Sequence, residues 1–77
     1  MDFKEILANI ARAIVDTPDA VVVTESVDGD DIELTLTVAE DDTGMVIGRH
    51  GRIAKAIRQI IKAAASTCGK KVTVEIK

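Results

Sequence analysis

Apolar residues recur along this chain with two different periods, one typical of helices and one typical of strands. Near the N-terminus an apolar residue occupies every third or fourth position, the spacing of one helix face: Phe3, Ile6, Leu7, Ile10 and Ile14. Asp2 followed by Glu5 predicts an N-cap, and Thr17-Pro18 predicts that the helix has ended. The first element is therefore predicted to be an amphipathic helix.

Strict alternation of apolar and polar residues follows. Residues 20–27 and 31–38 alternate in this way, which predicts two half-buried strands joined by a turn at Asp28-Gly29-Asp30. The same alternation returns near the C-terminus, where the apolar positions are Val72, Val74 and Ile76. We expect a third strand there.

Two helices are predicted between the second and third strands. Glu40, Asp41 and Asp42 place negative charge where a short helix ending at Ile47 begins, which the helix dipole favours. A longer helix is predicted from Arg52, with Gly69 as its C-terminal stop. Its predicted apolar face consists of Ile53, Ile57, Ile60, Ile61 and Ala64. The order is α-β-β-α-α-β, and we expect an α+β fold in which a three-stranded sheet packs against helices.

The segment between these two helices contains a Gly-x-x-Gly tetrad, Gly48-Arg49-His50-Gly51. Glycine lacks a Cβ and tolerates positive φ, so a ligand can approach such a backbone closely. Arg52, Lys55, Gln59 and Lys62 lie within about 80° of one another around the following helix, with Arg58 at the edge of that sector. Because free N–H groups at the helix start adjoin these charges, the pattern predicts an anion site.

Charge is distributed unevenly along the chain, although the net charge is only −3. Residues 1–45 contain twelve Asp and Glu against two basic residues, whereas residues 46–77 contain eight Lys and Arg against one acid, Glu75. Exposed charges are screened beyond about 10 Å at ~0.1 M salt, so a local basic surface can bind a polyanion. Phe3 is the one aromatic residue, which excludes an aromatic platform for stacking bases.

Other functional classes find little support in the composition. A single Cys68 and a single His50 provide neither a disulfide nor a zinc site, which fits a reducing cytoplasm. No run approaches the roughly 18 apolar residues that span a bilayer. His50 has no partner acid or nucleophile at a recognisable spacing, so an enzyme is not expected. We expect no metal, cofactor, small-molecule substrate or membrane partner, and a single domain spanning residues 1–77.

The segments VIGRHGRIAKAIR and VTVEIK, with the element order above, resemble the type II KH domain and, within it, the KhpA family of small stand-alone bacterial proteins. The resemblance implies that the protein binds single-stranded RNA, with the tetrad loop clamping the backbone of about four nucleotides. The clamp would be Gly48, Arg49, His50 and Gly51, flanked by Ile47, Arg52 and Ile53, with Lys55 and Arg58 reaching further phosphates. An adjacent groove for bases would involve Met45, Val46 and Leu36.

The resemblance also implies a homodimer, or a heterodimer with a larger Jag-type KH protein. It further implies post-transcriptional regulation or RNA chaperone activity linked to cell elongation and division. His50 departs from the amide or basic residue that is frequent in the family. Because histidine gains a proton in mildly acidic solution, we expect RNA binding to strengthen there. An alternative stays open, in which the KH scaffold mainly mediates protein interaction and RNA binding is secondary.

Overall fold

A computed structural model describes residues 2–77, and Met1 lies outside the described residues. The helices are α1 (Phe3–Ile14), α2 (Thr43–Ile47) and α3 (Arg52–Thr67), and the strands are β1 (Val22–Asp28), β2 (Asp31–Thr37) and β3 (Lys71–Ile76). Three short 3-10 turns cover Pro18–Ala20, Glu40–Asp42 and Arg49–Gly51. The predicted α+β class and element order are confirmed.

The three strands form one sheet in the order β1-β2-β3. β1 and β2 are antiparallel and joined by the predicted tight turn, in which Gly29 has φ 62°. β2 and β3 are parallel, so the chain crosses over through α2 and α3 before returning to the sheet. β1 and β3 are consequently the two edge strands.

The core lies between one face of the sheet and the helices α1 and α3. The sheet contributes Val23, Leu34, Leu36 and Val74, which the strand register places side by side. The helices contribute Phe3, Leu7, Ala8, Ala11, Ile57, Ile61 and Ala65. Burial of these aliphatic groups supplies most of the stabilisation. The opposite sheet face is polar and mostly exposed, as the alternation predicts.

The start of α1 and the end of α3 lie where the sequence signals predict, whereas α1 ends at Ile14, before the predicted stop at Thr17-Pro18. The Asp2 carboxylate accepts a hydrogen bond from the Glu5 N–H at 3.1 Å, which caps α1. After α3, Gly69 adopts φ 69°, Lys70 N–H donates to the Ala65 carbonyl at 3.0 Å, and Gly69 N–H donates to the Ser66 carbonyl at 3.3 Å. This is a Schellman motif, and it directs the chain from α3 into β3.

One sequence prediction about the helices needs correction, and one acidic residue before α2 has a role that the sequence does not indicate. Ile53 and Ile60 were assigned to the core face of α3, but they are 37% and 53% exposed, because the buried stripe turns instead through Ala54, Ile57, Ile61 and Ala65. Asp42 lies in a 3-10 turn before α2 and is only 3% exposed. Its carboxylate accepts the Thr17 N–H at 2.9 Å and so joins the segment after α1 to the start of α2.

Candidate nucleic-acid interface

The tetrad is a sharp, hydrogen-bonded reversal between α2 and α3. Gly48 caps α2 with φ 77° and donates its N–H to the Gly44 carbonyl at 2.8 Å. His50 (φ 58°, ψ 25°) and Gly51 (φ 72°, ψ 16°) are both left-handed, and α3 begins at the next residue. Two consecutive left-handed residues turn the chain within one short step, which exposes the loop at one end of the molecule.

Backbone N–H groups are available at the tip of this loop. Gly51 N–H donates to the Gly48 carbonyl at 3.1 Å, and Arg52 N–H donates to the Arg49 carbonyl. Within residues 2–77, the backbone N–H groups of Arg49 and His50 donate to no backbone or side-chain acceptor. The side chains of these two residues are exposed as well. Adjacent N–H donors beside a basic side chain form a concavity suited to an anion such as a phosphate.

Gly48 and Gly51 are glycines for different reasons. A Cβ on Gly48 would lie 2.6 Å from Ile53 Cγ1 and 2.9 Å from Ile53 Cβ, so close packing forbids any larger residue. A Cβ on Gly51 would meet no atom within 4 Å, although its φ of 72° is strained for other residues. Gly48 is therefore fixed by the fold, whereas Gly51 leaves open space over which a ligand can approach.

Basic residues continue from the loop along α3 to a groove beside β3. Arg52 and Lys55 are exposed on the first turns of α3. Further along lies a groove of about 410 Å³ between α3 and β3, whose lining is Arg58, Lys62, Ser66, Lys70, Lys71, Val72, Thr73 and Val74. No acidic residue lines this groove. The loop and the groove together form a basic surface, which we call the basic groove path. Its basic residues are Arg49, Arg52, Lys55, Arg58, Lys62, Lys70 and Lys71.

The edge of β3 contributes backbone groups to this groove. Lys71 N–H and Lys77 N–H donate to carbonyls on the β2 side, at Asp30 and Leu36. Because alternate residues of a strand point their peptide groups to opposite sides, Val72, Val74 and Ile76 point theirs away from β2. The Val74 carbonyl accepts a hydrogen bond from Arg58 Nε at 3.2 Å, which fixes the Arg58 side chain at the groove.

The structure excludes two of the three residues predicted to line a groove for bases. Val46 and Leu36 have no exposed surface, because both side chains belong to the core, so neither can contact RNA. Met45 is 37% exposed on α2. The surface that adjoins the predicted phosphate contacts is the α3–β3 side, with Arg58 in it. Sequence periodicity could not locate this groove, because it depends on the parallel return of β3 beside α3.

A second cavity, of about 390 Å³, lies on the open sheet face and has the opposite charge. Its lining includes Asp28, Asp31 and Glu33, with Lys71 as the one basic residue. Three carboxylates repel a polyanion. The carboxylates of this cavity come from the acidic first half of the sequence, whereas the basic residues of the groove come from the second half.

No three His, Cys, Asp or Glu side chains among residues 2–77 are grouped so that they could hold a metal ion. None of the described helices has the length and apolar character needed to cross a membrane. Cys68 is free and exposed at the end of α3.

Comparisons with known proteins agree on one family. The model for the KhpA/KhpB KH domain matches residues 4–76. The chain is 53% identical over 73 residues to the RNA-binding protein KhpA of Clostridium acetobutylicum, covering 95% of this chain and 97% of that protein. It is 51% identical over 73 residues to KhpA of Clostridium perfringens, with the same coverage, and 47% identical over 74 residues to KhpA of Treponema pallidum, covering 95% and 91%.

Solved structures support the fold. The chain superposes on Era in complex with MgGDPNP and nucleotides of 16S ribosomal RNA with a TM-score of 0.71 and 21% identity, covering 96% of this chain and 28% of that one. For Aquifex aeolicus Era bound to GDP and AlF4⁻ the TM-score is 0.69, also at 21% identity, covering 96% and 29%. Together with the element order, these matches establish the type II KH fold.

Proposed function

Because the chain belongs to the KhpA/KhpB KH-domain family, we propose that it binds single-stranded RNA along the basic groove path. The tetrad loop holds the phosphate backbone, and the groove between α3 and β3 receives the bases that follow. Relatives about half identical over nearly their whole length carry the name RNA-binding protein KhpA. RNA binding is the function that the site's chemistry serves best.

The observation that carries this proposal is the pair of free N–H groups at Arg49 and His50, next to exposed cationic side chains. The two backbone N–H groups can donate hydrogen bonds to one phosphate oxygen at a fixed position, while the Arg49 side chain adds a charge-assisted hydrogen bond. Gly51 leaves room for the sugar-phosphate chain to approach. The contacts are made to the backbone and so hold RNA without reading its sequence.

Residues around the loop have separate roles in this proposal. Ile53 packs against Gly48 and fixes the start of α3, while its exposed part and that of Ile47 offer apolar contact to sugars or bases. Arg52 and Lys55 stand on the first turns of α3, where they reach the next phosphates. Arg58 lies further along, in the groove itself.

Charge reversal at the loop tests the proposal. We expect Arg49→Asp with His50→Asp to abolish retention of a short single-stranded RNA in fluorescence anisotropy, because both changes place carboxylates at the phosphate site. Lys4→Asp with Arg12→Asp is the control, since both residues are exposed on α1. Circular dichroism checks that each variant is folded. RNA binding that survives the loop change would favour the alternative, a module that mainly mediates protein interaction.

Self-association is a second proposal, and one observation favours it. Ile60 is 53% exposed in the middle of α3, although large aliphatic residues are usually buried. We propose that a second copy of the chain covers it, which would add apolar contact to a thin core. Ile60→Asp should convert a dimer to a monomer in light scattering, whereas Val27→Asp, at an equally exposed valine on β1, should not. A monomer in the unaltered protein would contradict this proposal.

The cellular role belongs with these proposals. Regulation of RNA after transcription or RNA chaperone activity in the cytoplasm, a link to cell elongation and division, and pairing with a Jag-type KH protein all follow from the family resemblance alone. Crosslinking in cells followed by sequencing of the attached RNA, together with identification of copurifying proteins, would test them. Absence of crosslinked RNA would contradict the proposed role.

A further inference from the structure

One hydrogen bond in the basic groove path affects which hydrogen-bond donors and acceptors the groove offers to an RNA base. Arg58 Nε donates to the Val74 carbonyl oxygen at 3.2 Å, in a partly buried position. β3 is an edge strand, and the carbonyl and N–H of Val74 both point away from β2. The Arg58 guanidinium therefore donates to the Val74 carbonyl and leaves the Val74 N–H free to donate to a ligand.

This hydrogen bond changes the kind of surface that the edge of β3 presents at Val74. A carbonyl acceptor beside an N–H donor becomes a surface that has hydrogen-bond donors only. An unoccupied Val74 would offer one acceptor beside one donor. With Arg58 in place, the same stretch offers the Val74 N–H and the Nη groups of the guanidinium, because arginine has five donors and no acceptor. Lys62, Lys70 and Lys71 in the groove lining add positive charge, which attracts the phosphates of either RNA alike.

Bases differ in how well they match such a surface. Adenine carries its N6 amino donor beside a ring acceptor on both of its edges, so each hydrogen-bonded approach brings a donor toward the masked carbonyl. Cytosine has two adjacent acceptors, N3 and O2, which two adjacent donors can satisfy together. A donor left facing another donor loses its hydrogen bond to water without replacement.

We propose that Arg58 is a specificity-determining residue that makes the groove favour cytosine over adenine at the position facing Val74. This inference rests on the proposed RNA binding, and it adds base selectivity to a loop that contacts only the backbone. It also gives Arg58 a role separate from phosphate attraction. Arg58 then affects the ratio of affinities for different RNAs, beyond the affinity for RNA in general.

The test compares affinities for labelled hexamers of cytidine and of adenosine by fluorescence anisotropy. We expect the unaltered protein to bind the cytidine hexamer more tightly by about fivefold, the effect of one hydrogen bond. Arg58→Met frees the Val74 carbonyl and should bring this ratio to one or invert it. Arg58→Lys keeps the charge but lacks the planar fork, and should also reduce the ratio.

Lys62→Met is the matched control, because it removes the same charge from the same groove one turn along α3 without touching Val74. It should weaken binding of both hexamers equally and leave the ratio unchanged. Comparing ratios between variants also cancels the self-stacking of oligoadenosine. Thermal melting followed by circular dichroism verifies that each variant is folded.

Two results would overturn the inference and can be told apart from failure of the proposed function. Equal binding of the two hexamers by the unaltered protein, or an Arg58→Met variant that weakens both equally, would overturn the selectivity while RNA binding stands. Binding of neither hexamer would overturn the proposed function and the selectivity with it.

Discussion

At the scale of residues, the two glycines of the tetrad differ in what they protect. Gly48 packs against Ile53 so closely that a methyl group cannot be added without displacing the start of α3. Gly51 has open space around it and requires only a left-handed backbone. Gly48 maintains the fold of the loop, and Gly51 leaves the surface of the loop open at the proposed RNA contact.

We expect Gly48→Ala to lower the free energy of unfolding by about 2–3 kcal/mol, because overpacking adds to the strain of positive φ. Gly51→Ala should cost about 1 kcal/mol, from backbone strain alone. Urea denaturation measures both. In the double variant Gly48→Ala with Ile53→Ala, two of the three close atoms are removed, so part of the loss should be recovered. Equal losses for the two single variants would contradict this account.

His50 is the residue of the tetrad that we expect to make RNA binding depend on pH. Its exposed side chain stands in the loop beside free backbone N–H groups, where a positive charge would face the same phosphate. We expect affinity for single-stranded RNA to rise severalfold as the pH falls from about 8 to about 5.5. His50→Gln should give a flatter profile. An unchanged affinity across this range in the unaltered protein would show that His50 adds no charge to the clamp.

At the scale of elements, the connections between helices and strands position the site. The Schellman motif at Gly69 sends the chain from α3 directly into β3, so these two elements border the groove from either side. Asp42 joins the segment after α1 to the start of α2, since its buried carboxylate accepts the Thr17 N–H. The helix that leads into the tetrad is thereby attached to the rest of the core.

Asp42→Ala should lower the free energy of unfolding by about 1–3 kcal/mol, because the Thr17 N–H loses its acceptor in a partly buried place. Asp42→Asn retains a carbonyl oxygen and should lose less. Asp41→Ala is the control, because Asp41 is exposed in the same 3-10 turn and should be nearly neutral. Chemical denaturation of the three variants gives the comparison. An equal loss for Asp41→Ala would assign the effect to the acidic turn as a whole.

Prediction from sequence succeeded best for these elements. The helical and alternating patterns give the right order of helices and strands because each pattern is set by residues close in the chain. The assignment of Ile53 and Ile60 to the core failed for a related reason. Periodicity predicts that a helix has an apolar face about 100° wide. Which residues at the margins of that face are buried depends on the elements that pack against the helix. Here α2 and the sheet leave both isoleucines exposed.

At the scale of the whole molecule, charge separation is the main feature. The acidic residues of the first half include those on the open sheet face, whereas the basic residues of the second half follow the basic groove path. The net charge of −3 therefore conceals a surface able to attract a polyanion. The molecule presents RNA with one attractive side.

Salt should weaken RNA binding in a predictable way. With about four phosphates contacted, we expect the logarithm of the binding constant to fall with the logarithm of salt concentration at a slope of about −3. Asp31→Asn with Glu33→Gln, on the open sheet face, should leave this slope unchanged, because those charges do not contact phosphate. Titrations of a short RNA at several salt concentrations measure it. A slope near zero would exclude phosphate contacts as the main attraction.

The sequence alone determined the element order, the start of α1, the end of α3 and the position of the tetrad, because these depend on local periodicity and on capping residues. It also identified the basic residues on α3. Only the tertiary structure decided where the groove between α3 and β3 lies, since β3 reaches α3 by pairing in parallel with β2, far away in the chain. The same pairing buries Leu36 and brings the Val74 carbonyl to Arg58. The groove is formed by contacts between α3 and β3. Such contacts between separate elements cannot be read from the residue pattern of either element alone.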